Sequence, residues 1–405
     1  MRHAARRLAP AAALAVAGAL APTTAAYAQL PFDGKYGWQI APVAQSWSFS
    51  CCSSDTVPAS LQRASQFTLP IAGAFSIGSR VLVDAYMAYV SGTATTRDSA
   101  TVPSTTARVE GFTDLTVRGS VRLHGNDAMI TLGFNLPTGL TNLDSTQFAA
   151  MEVLGAPVLQ AQSPVLGSGF GATAGVVGAK KIGRWAWGAG ASYQYRTEYS
   201  PMQAAALGLG TSVTNVKLAP GAAIRLSIGA DGLVGQSAMA FSVAATFYTQ
   251  DELTRTLPGD TLLSTQVTLG PTIQGEWRWR TIAPGFRQLN VFAYERYVAR
   301  YTTGGKSVAG TNGNFLYFGA TGMSPFSPAL GLVTQLHGRW LTGLSIDNSL
   351  PTAATLVGGA GVGLAWVTGS VTITPMLGAE YGEIDSGLQK FNVTALQFTL
   401  TLAGR

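Results

Sequence analysis

From Leu115 to Leu136 the chain alternates apolar and polar residues with a period of two, and no long apolar run interrupts it. Leu115, Val117, Gly119, Val121 and Leu123 share one parity; Asp114, Thr116, Arg118, Ser120, Arg122 and His124 share the other. Successive side chains of a strand point to opposite faces of a sheet, so this stretch reads as a strand whose faces meet different media. After a turn at residues 124–127, Ile130, Leu132, Phe134 and Leu136 alternate with Met129, Thr131, Gly133 and Asn135, which predicts a hairpin. A soluble sandwich alternates in the same way, so one hairpin does not say whether the apolar face meets a core or lipid.

The rest of the chain decides. The same period predicts sixteen strands, near residues 36–50, 61–76, 79–93, 109–124, 127–138, 168–180, 184–199, 213–229, 236–250, 264–280, 288–303, 312–324, 328–345, 355–367, 370–383 and 389–402. Short connectors such as Ile77-Gly78, Lys181-Ile182-Gly183 and Thr368-Gly369 alternate with longer ones, the longest from Thr138 to Gly167. That rhythm is expected of an all-β, closed, antiparallel up-and-down transmembrane barrel with periplasmic turns and outer loops. Lipid offers no hydrogen bonds, so a spanning sheet must close on itself. Fourteen strands is the second reading, if the segment near 36–50 tucks inside as a plug. Strands longer than the roughly 9 to 11 residues needed to cross predict a wall that continues into the outer medium.

Composition fits a thin wall. Charged residues are 11% of the chain, against about 25% in an ordinary domain, and there are 48 glycines. The first 28 residues carry Arg2, Arg6 and Arg7, an apolar run from Leu8 to Leu20 and the small pair Ala26 and Ala28 around Tyr27. This is the pattern of a secretory signal peptide, too short to span, cleaved after Ala28, with the barrel occupying 29–405. Subtracting its three arginines from the formal +6 leaves +3, which is no nucleic-acid footprint. The two cysteines, Cys51 and Cys52, are adjacent; standard disulfide geometry fits neighbours poorly, which favours two loop thiols over a vicinal bridge.

Four phrases carry a resemblance: Gly111-Phe112-Thr113-Asp114-Leu115, Leu136-Pro137-Thr138-Gly139, Leu166-Gly167-Ser168-Gly169 and Ala219-Pro220-Gly221. With the hairpin between the first two, the chain resembles the outer-membrane proteins assigned to the meta-pathway of phenol degradation. Those proteins look distantly like the channels for long-chain fatty acids and aromatic hydrocarbons. The resemblance implies a barrel that passes hydrophobic or aromatic compounds. Two departures are a strand that begins near Tyr36 and Trp38, leaving little chain for an N-terminal plug, and the absence of an aromatic residue after Phe398.

Parity places Arg118, Arg122, Arg196, Lys217, Arg225, Arg278, Arg280 and Arg339 on the inner face, with Asp114, Glu276 and Glu380. Two readings stand: an anion-attracting lumen that concentrates acidic solutes such as aromatic carboxylates, or cross-strand ion pairs that fill the barrel. The segment from Thr141 to Gly169 is too apolar for a solvated loop; Phe148, Met151, Val153, Leu154, Val158 and Leu159 could form a mouth constriction, or pack on the rim or a neighbouring subunit. Catalytic patterns are lacking: His124 and His337 stand without a nucleophile motif, a zinc set or a phosphate loop. The expectation is a non-enzymatic channel without cofactor, whose partners are outer-membrane lipid and a small hydrophobic or aromatic solute, with no nucleic acid. A non-transporting surface protein with a filled lumen is the alternative, and oligomeric state stays open.

Overall fold

The computed structural model describes residues 36–51, 61–97, 103–123, 127–161, 166–207, 213–343, 354–385 and 390–404. The strands are β1 (Tyr36–Ile40 and Val43–Cys51), β2 (Leu61–Ile77), β3 (Val81–Thr96), β4 (Thr105–Phe112 and Leu115–Arg122) and β5 (Ala128–Leu136). They continue with β6 (Gly171–Ile182), β7 (Trp185–Arg196), β8 (Asn215–Ala219 and Ala223–Val234), β9 (Ser237–Tyr248 and Gln250–Thr256) and β10 (Leu262–Thr268 and Thr272–Ala283). The last are β11 (Phe286–Val298), β12 (Gly313–Pro325), β13 (Leu330–Gly343), β14 (Ala354–Thr368), β15 (Val371–Asp385) and β16 (Lys390–Gly404). Each pairs antiparallel with the next, and β16 returns to β1 through Trp38 opposite Gly404 and Val43 opposite Thr399. Because β1 also pairs with β2, the first segment is wall and not plug, and the barrel has 16 strands.

The register separates outside from inside. Ile71, Phe67 and Phe75 of β2 pair with Met87, Ser91 and Val83 of β3, so odd positions of both strands share a face. That face is outward: Phe67, Ile71 and Phe75 are exposed, whereas Gln66, Thr68, Ala88 and Val90 are buried. The same argument sends Val121, Ile130, Leu226, Leu336, Leu377 and Leu396 outward, all exposed. Aromatics gather at both edges of this belt, with Trp185 and Trp187 on Phe241 at the short-turn end (ring centroids 6.0 and 5.6 Å) and Tyr89 on Phe112 at the other (5.4 Å). A closed sheet with an apolar outside, polar groups within and aromatic girdles is an outer-membrane barrel.

Above the belt the outer face turns polar, as excess wall should. On β3 the outward residues change from Val83, Ala85 and Met87 to Ser91, Thr93 and Thr95, and on β4 the exposed pair Arg108 and Glu110 stands beyond Phe112. Among the described residues, the five-segment ladder above the crease is formed by the outer parts of β8, β9 and β10 with Thr302–Thr303 and Lys306–Ser307.

A crease separates this flap from the wall, and it corrects one expectation. Pro220 and Pro271, which have no N–H to give the ladder, interrupt β8 and β10, and Thr249 interrupts β9. At such an interruption the side-chain parity shifts, and every residue beyond it changes face. Even residues of β8 point outward below the crease, as Ile224, Leu226 and Ile228 do, but Val216 and Leu218 above it are buried inside. Lys217 therefore points out of the barrel, where it pairs with Glu198 at 2.8 Å with both side chains half-exposed. Val267 and Leu269, on the same parity as the lipid-facing Ile273, likewise turn inward.

Candidate functional site

The chain between β5 and β6 folds into the outer half of the barrel. Its helix α1 (Ser145–Leu154) starts at Asp144, whose Oδ1 accepts from Thr146 N and Gln147 N while Gln147 Oε1 accepts from Asp144 N, a complete capping box. Phe148, Ala150, Met151, Val153 and Leu154 are all buried, so the helix is apolar around most of its girth, as a helix enclosed by protein must be. Leu154 sits against Gly92 of β3, where any side chain would collide with it. Trp47, Val90, Ala94 and Val109 pack the helix from one side, and Val216, Leu218, Leu253, Val357, Ile384 and Val393 complete the same cluster. The apolar segment is thus an internal plug, not a rim contact.

Its two ends are tied at one carboxylate. Between the two parts of β4, Thr113 and Asp114 are both buried in a break that shifts parity, with Thr113 N donating to Ala88 O. Asp114 Oδ1 accepts from Gly139 N at 2.9 Å; Oδ2 accepts from Ser168 N at 2.7 Å, Ser168 Oγ at 3.1 Å and Asn135 Nδ2 at 2.8 Å. Gly139 begins the plug segment and Ser168 ends it. Thr138 Oγ1 accepts from Leu115 N (2.8 Å), and a side chain at Gly139 or Gly167 would strike backbone. Three of the phrases that carried the resemblance therefore meet here. The fourth lies at the crease, where Gly221 N donates to Asp251 Oδ1 (2.5 Å) and Arg196 Nη2 donates to Gly221 O (3.3 Å). Burial holds the Asp251 carboxyl above the usual carboxylate range, against the downward pull of that N–H and of Arg196.

Beside and below the plug lies a cavity of about 1100 Å³. Small inward residues make the room: Ala238, Ala240, Ser242 and Ala244 on β9, with Gly188 and Gly190 facing inward on β7. Gln160 and Ala161 of the plug segment form part of its lining. Five cations reach it, Lys181, Arg184, Arg225, Arg278 and Arg280, against two carboxylates, Asp231 and Glu276. The β11 and β12 wall contributes a tile of rings: Phe292 lies 5.3 Å from Tyr317 and Tyr294 lies 6.1 Å from Phe315, centroid to centroid.

The predicted inner residues divide into groups. Arg225, Arg278, Arg280 and Glu276 line the cavity, the last paired with Arg278. Arg118 faces inward but its Nε holds Asp84 at 3.0 Å, and Arg122 is inward on the same strand. Arg196 belongs to the crease, and Lys217 is outside. Arg339 lies in the wall at 2% exposure, bound to Glu380 at 2.6 Å, with His337 Nε2 2.8 Å from the other oxygen. Phe148, Met151, Val153 and Leu154 are plug core. His124, Cys52 and the expected signal peptide fall outside the described residues. Lys181 and Asp231 were expected in turns, and Arg184 at the start of a strand without a role; β8 runs on to Val234, which brings Asp231 into the wall. Asp84 was legible, since its parity opposes Arg118.

No family model matches the chain, and no curated protein matches it in sequence. Solved structures do match. The CymD monoaromatic hydrocarbon channel is 9% identical, with 92% of this chain and 89% of that one covered and a TM-score of 0.38. A Pseudomonas aeruginosa FadL homologue is 8% identical over 91% and 90%, with a TM-score of 0.43. CdiB from Acinetobacter baumannii is 8% identical with a TM-score of 0.43, and the chain spans 60% of its length. Such values carry no functional argument, and the architecture stands on the strand pairings themselves.

Proposed function

We propose that this barrel is an outer-membrane channel for passive uptake of small hydrophobic or aromatic compounds. The observation that carries the reading is the juxtaposition, inside one barrel, of an apolar plug with a cavity whose one wall is small residues and whose other wall is aromatic. The rings of Phe292, Tyr294, Phe315 and Tyr317 in the cavity wall give an apolar solute a surface to leave water on. Across the cavity the small residues of β7 and β9 leave room for the solute beside these rings. The resemblance to proteins of the phenol meta-pathway points the same way.

A second reading has one observation in its favour. Met151, Leu154 and Leu159 are almost fully buried, so the plug fills its side of the barrel to the density of a core. If the plug never moves and the cavity is blind, the protein is a surface protein whose outer loops do the binding. Swelling of proteoliposomes in a solute series separates the two. The channel reading expects faster entry of benzyl alcohol than of a sugar of similar mass; permeability no greater than that of empty liposomes would favour the surface protein.

A further inference from the structure

We propose that the cavity is a binding site for a small aromatic carboxylate, with the ring on the tile of Phe292, Tyr294 and Tyr317 and the anionic group on Arg225. The proposal deepens the channel reading and rests on it for the solute's arrival, but binding itself requires no conduction.

Arg225, like Arg280, Lys181 and Arg184 of the same cavity, has no counter-ion among the described residues. Arg118, Arg278 and Arg339 are neutralised by Asp84, Glu276 and Glu380. Among the described residues Arg225 has no ion-pair partner, and it lines the cavity on β8 next to the bare inner face of β9. A cation without a partner inside a low-dielectric wall draws anions, and a planar guanidinium presents paired donors that match a carboxylate. Arg280, Lys181 and Arg184 reinforce the sign of the field nearer the short-turn end, where Asp231 is the opposing charge.

The rings supply the second half of the recognition. Tyr294 faces Tyr317 across β11 and β12, and the diagonal pairs Phe292–Tyr317 and Tyr294–Phe315 have centroids 5.3 and 6.1 Å apart. Aromatic faces at such spacings favour another ring in stacked or edge-on contact. A neutral hydrocarbon would leave Arg225 desolvated without gain, and an aliphatic acid would leave the tile unused. A molecule with both a ring and a carboxylate satisfies both. At about 1100 Å³ the cavity accommodates it together with water.

The test is equilibrium dialysis of the detergent-solubilised barrel against labelled benzoate, with benzamide and acetate as competitors. The proposal expects benzoate to be retained, benzamide and acetate to compete poorly, and Arg225→Gln to weaken retention about tenfold or more, as loss of a charge-assisted bond does. Phe292→Ala should bring benzoate toward acetate. Lys217→Gln, on the outer face of the rim, serves as the control with unchanged binding. Heat-modifiable migration establishes that each variant is folded. Equal competition by benzamide, or a folded Arg225→Gln protein that binds benzoate like the parent, would overturn the site. Swelling assays on the same preparations read conduction separately: binding without swelling leaves the site and removes the channel, whereas swelling without benzoate binding does the reverse.

Discussion

At the scale of single residues, two buried carboxylates have opposite expected weights. Asp114 accepts four hydrogen bonds that join both ends of the plug segment to β4, so Asp114→Asn replaces an acceptor with a donor that faces other donors. It should cost about 1 to 3 kcal/mol locally, loosen the plug and raise single-channel conductance without preventing assembly. Unchanged conductance and unchanged protease resistance of the segment would count against the clip. Asp251 has a folded-state pKa above its unfolded one, so its favourable contribution is present in acid and is lost as pH rises through the raised value. Once ionised, its charge is a net cost, and Asp251→Asn, which keeps the acceptor for Gly221 N, should leave thermal stability unchanged or higher. A marked fall would contradict that sign. The adjacent pair Val117 and Arg118 tests inside against outside. Val117→Arg places a cation in lipid at roughly 2 to 4 kcal/mol and should impair assembly, whereas Arg118→Gln loses one inward ion pair with Asp84 and should fold. The opposite result would invert the wall.

Elements show what a periodic sequence discloses and where it stops. Each of the sixteen predicted strands has a counterpart in the barrel, because a wall between lipid and water imposes the same alternation on every strand. The parity of Lys217 failed because periodicity fixes faces only within an uninterrupted strand, and Pro220 ends one register and starts another. The same parity would put Val216 and Leu218 against lipid, whereas both are buried inside. Proline at 220 and 271 was visible, but what it does to a barrel strand depends on its neighbours in the ladder. The plug segment announced itself by composition, since Phe148 to Leu159 is too apolar for water; its place inside follows from contacts with β3, β4 and β15 that no local pattern encodes. Gly92→Leu would occupy the space of the Leu154 side chain and should displace α1 while sparing the wall. Limited proteolysis should then cut within 145–161 in the variant and not in the parent; equal resistance would show that the helix can shift without release.

For the whole molecule, the field of the lumen and the plug act in series. Five cations against two carboxylates around the cavity should favour anions, most visibly at low salt, because the Debye length is about 30 Å at 0.01 M and about 3 Å at 1 M. Reversal potentials of Arg225→Gln and Arg280→Gln, alone and together, should move stepwise toward neutrality, and no movement would mean that ions bypass the cavity. The central claim, that a solute path runs through the barrel beside the plug, is tested most directly by single-channel currents in planar bilayers. The parent is compared with a protein whose residues 143–164 are replaced by a short glycine-serine linker that preserves Gly139 and Ser168 at the Asp114 clip. A continuous path predicts measurable conductance in the parent and a severalfold increase in the excised form. A folded excised barrel that carries no current would show the lumen to be sealed below the plug and would contradict the channel.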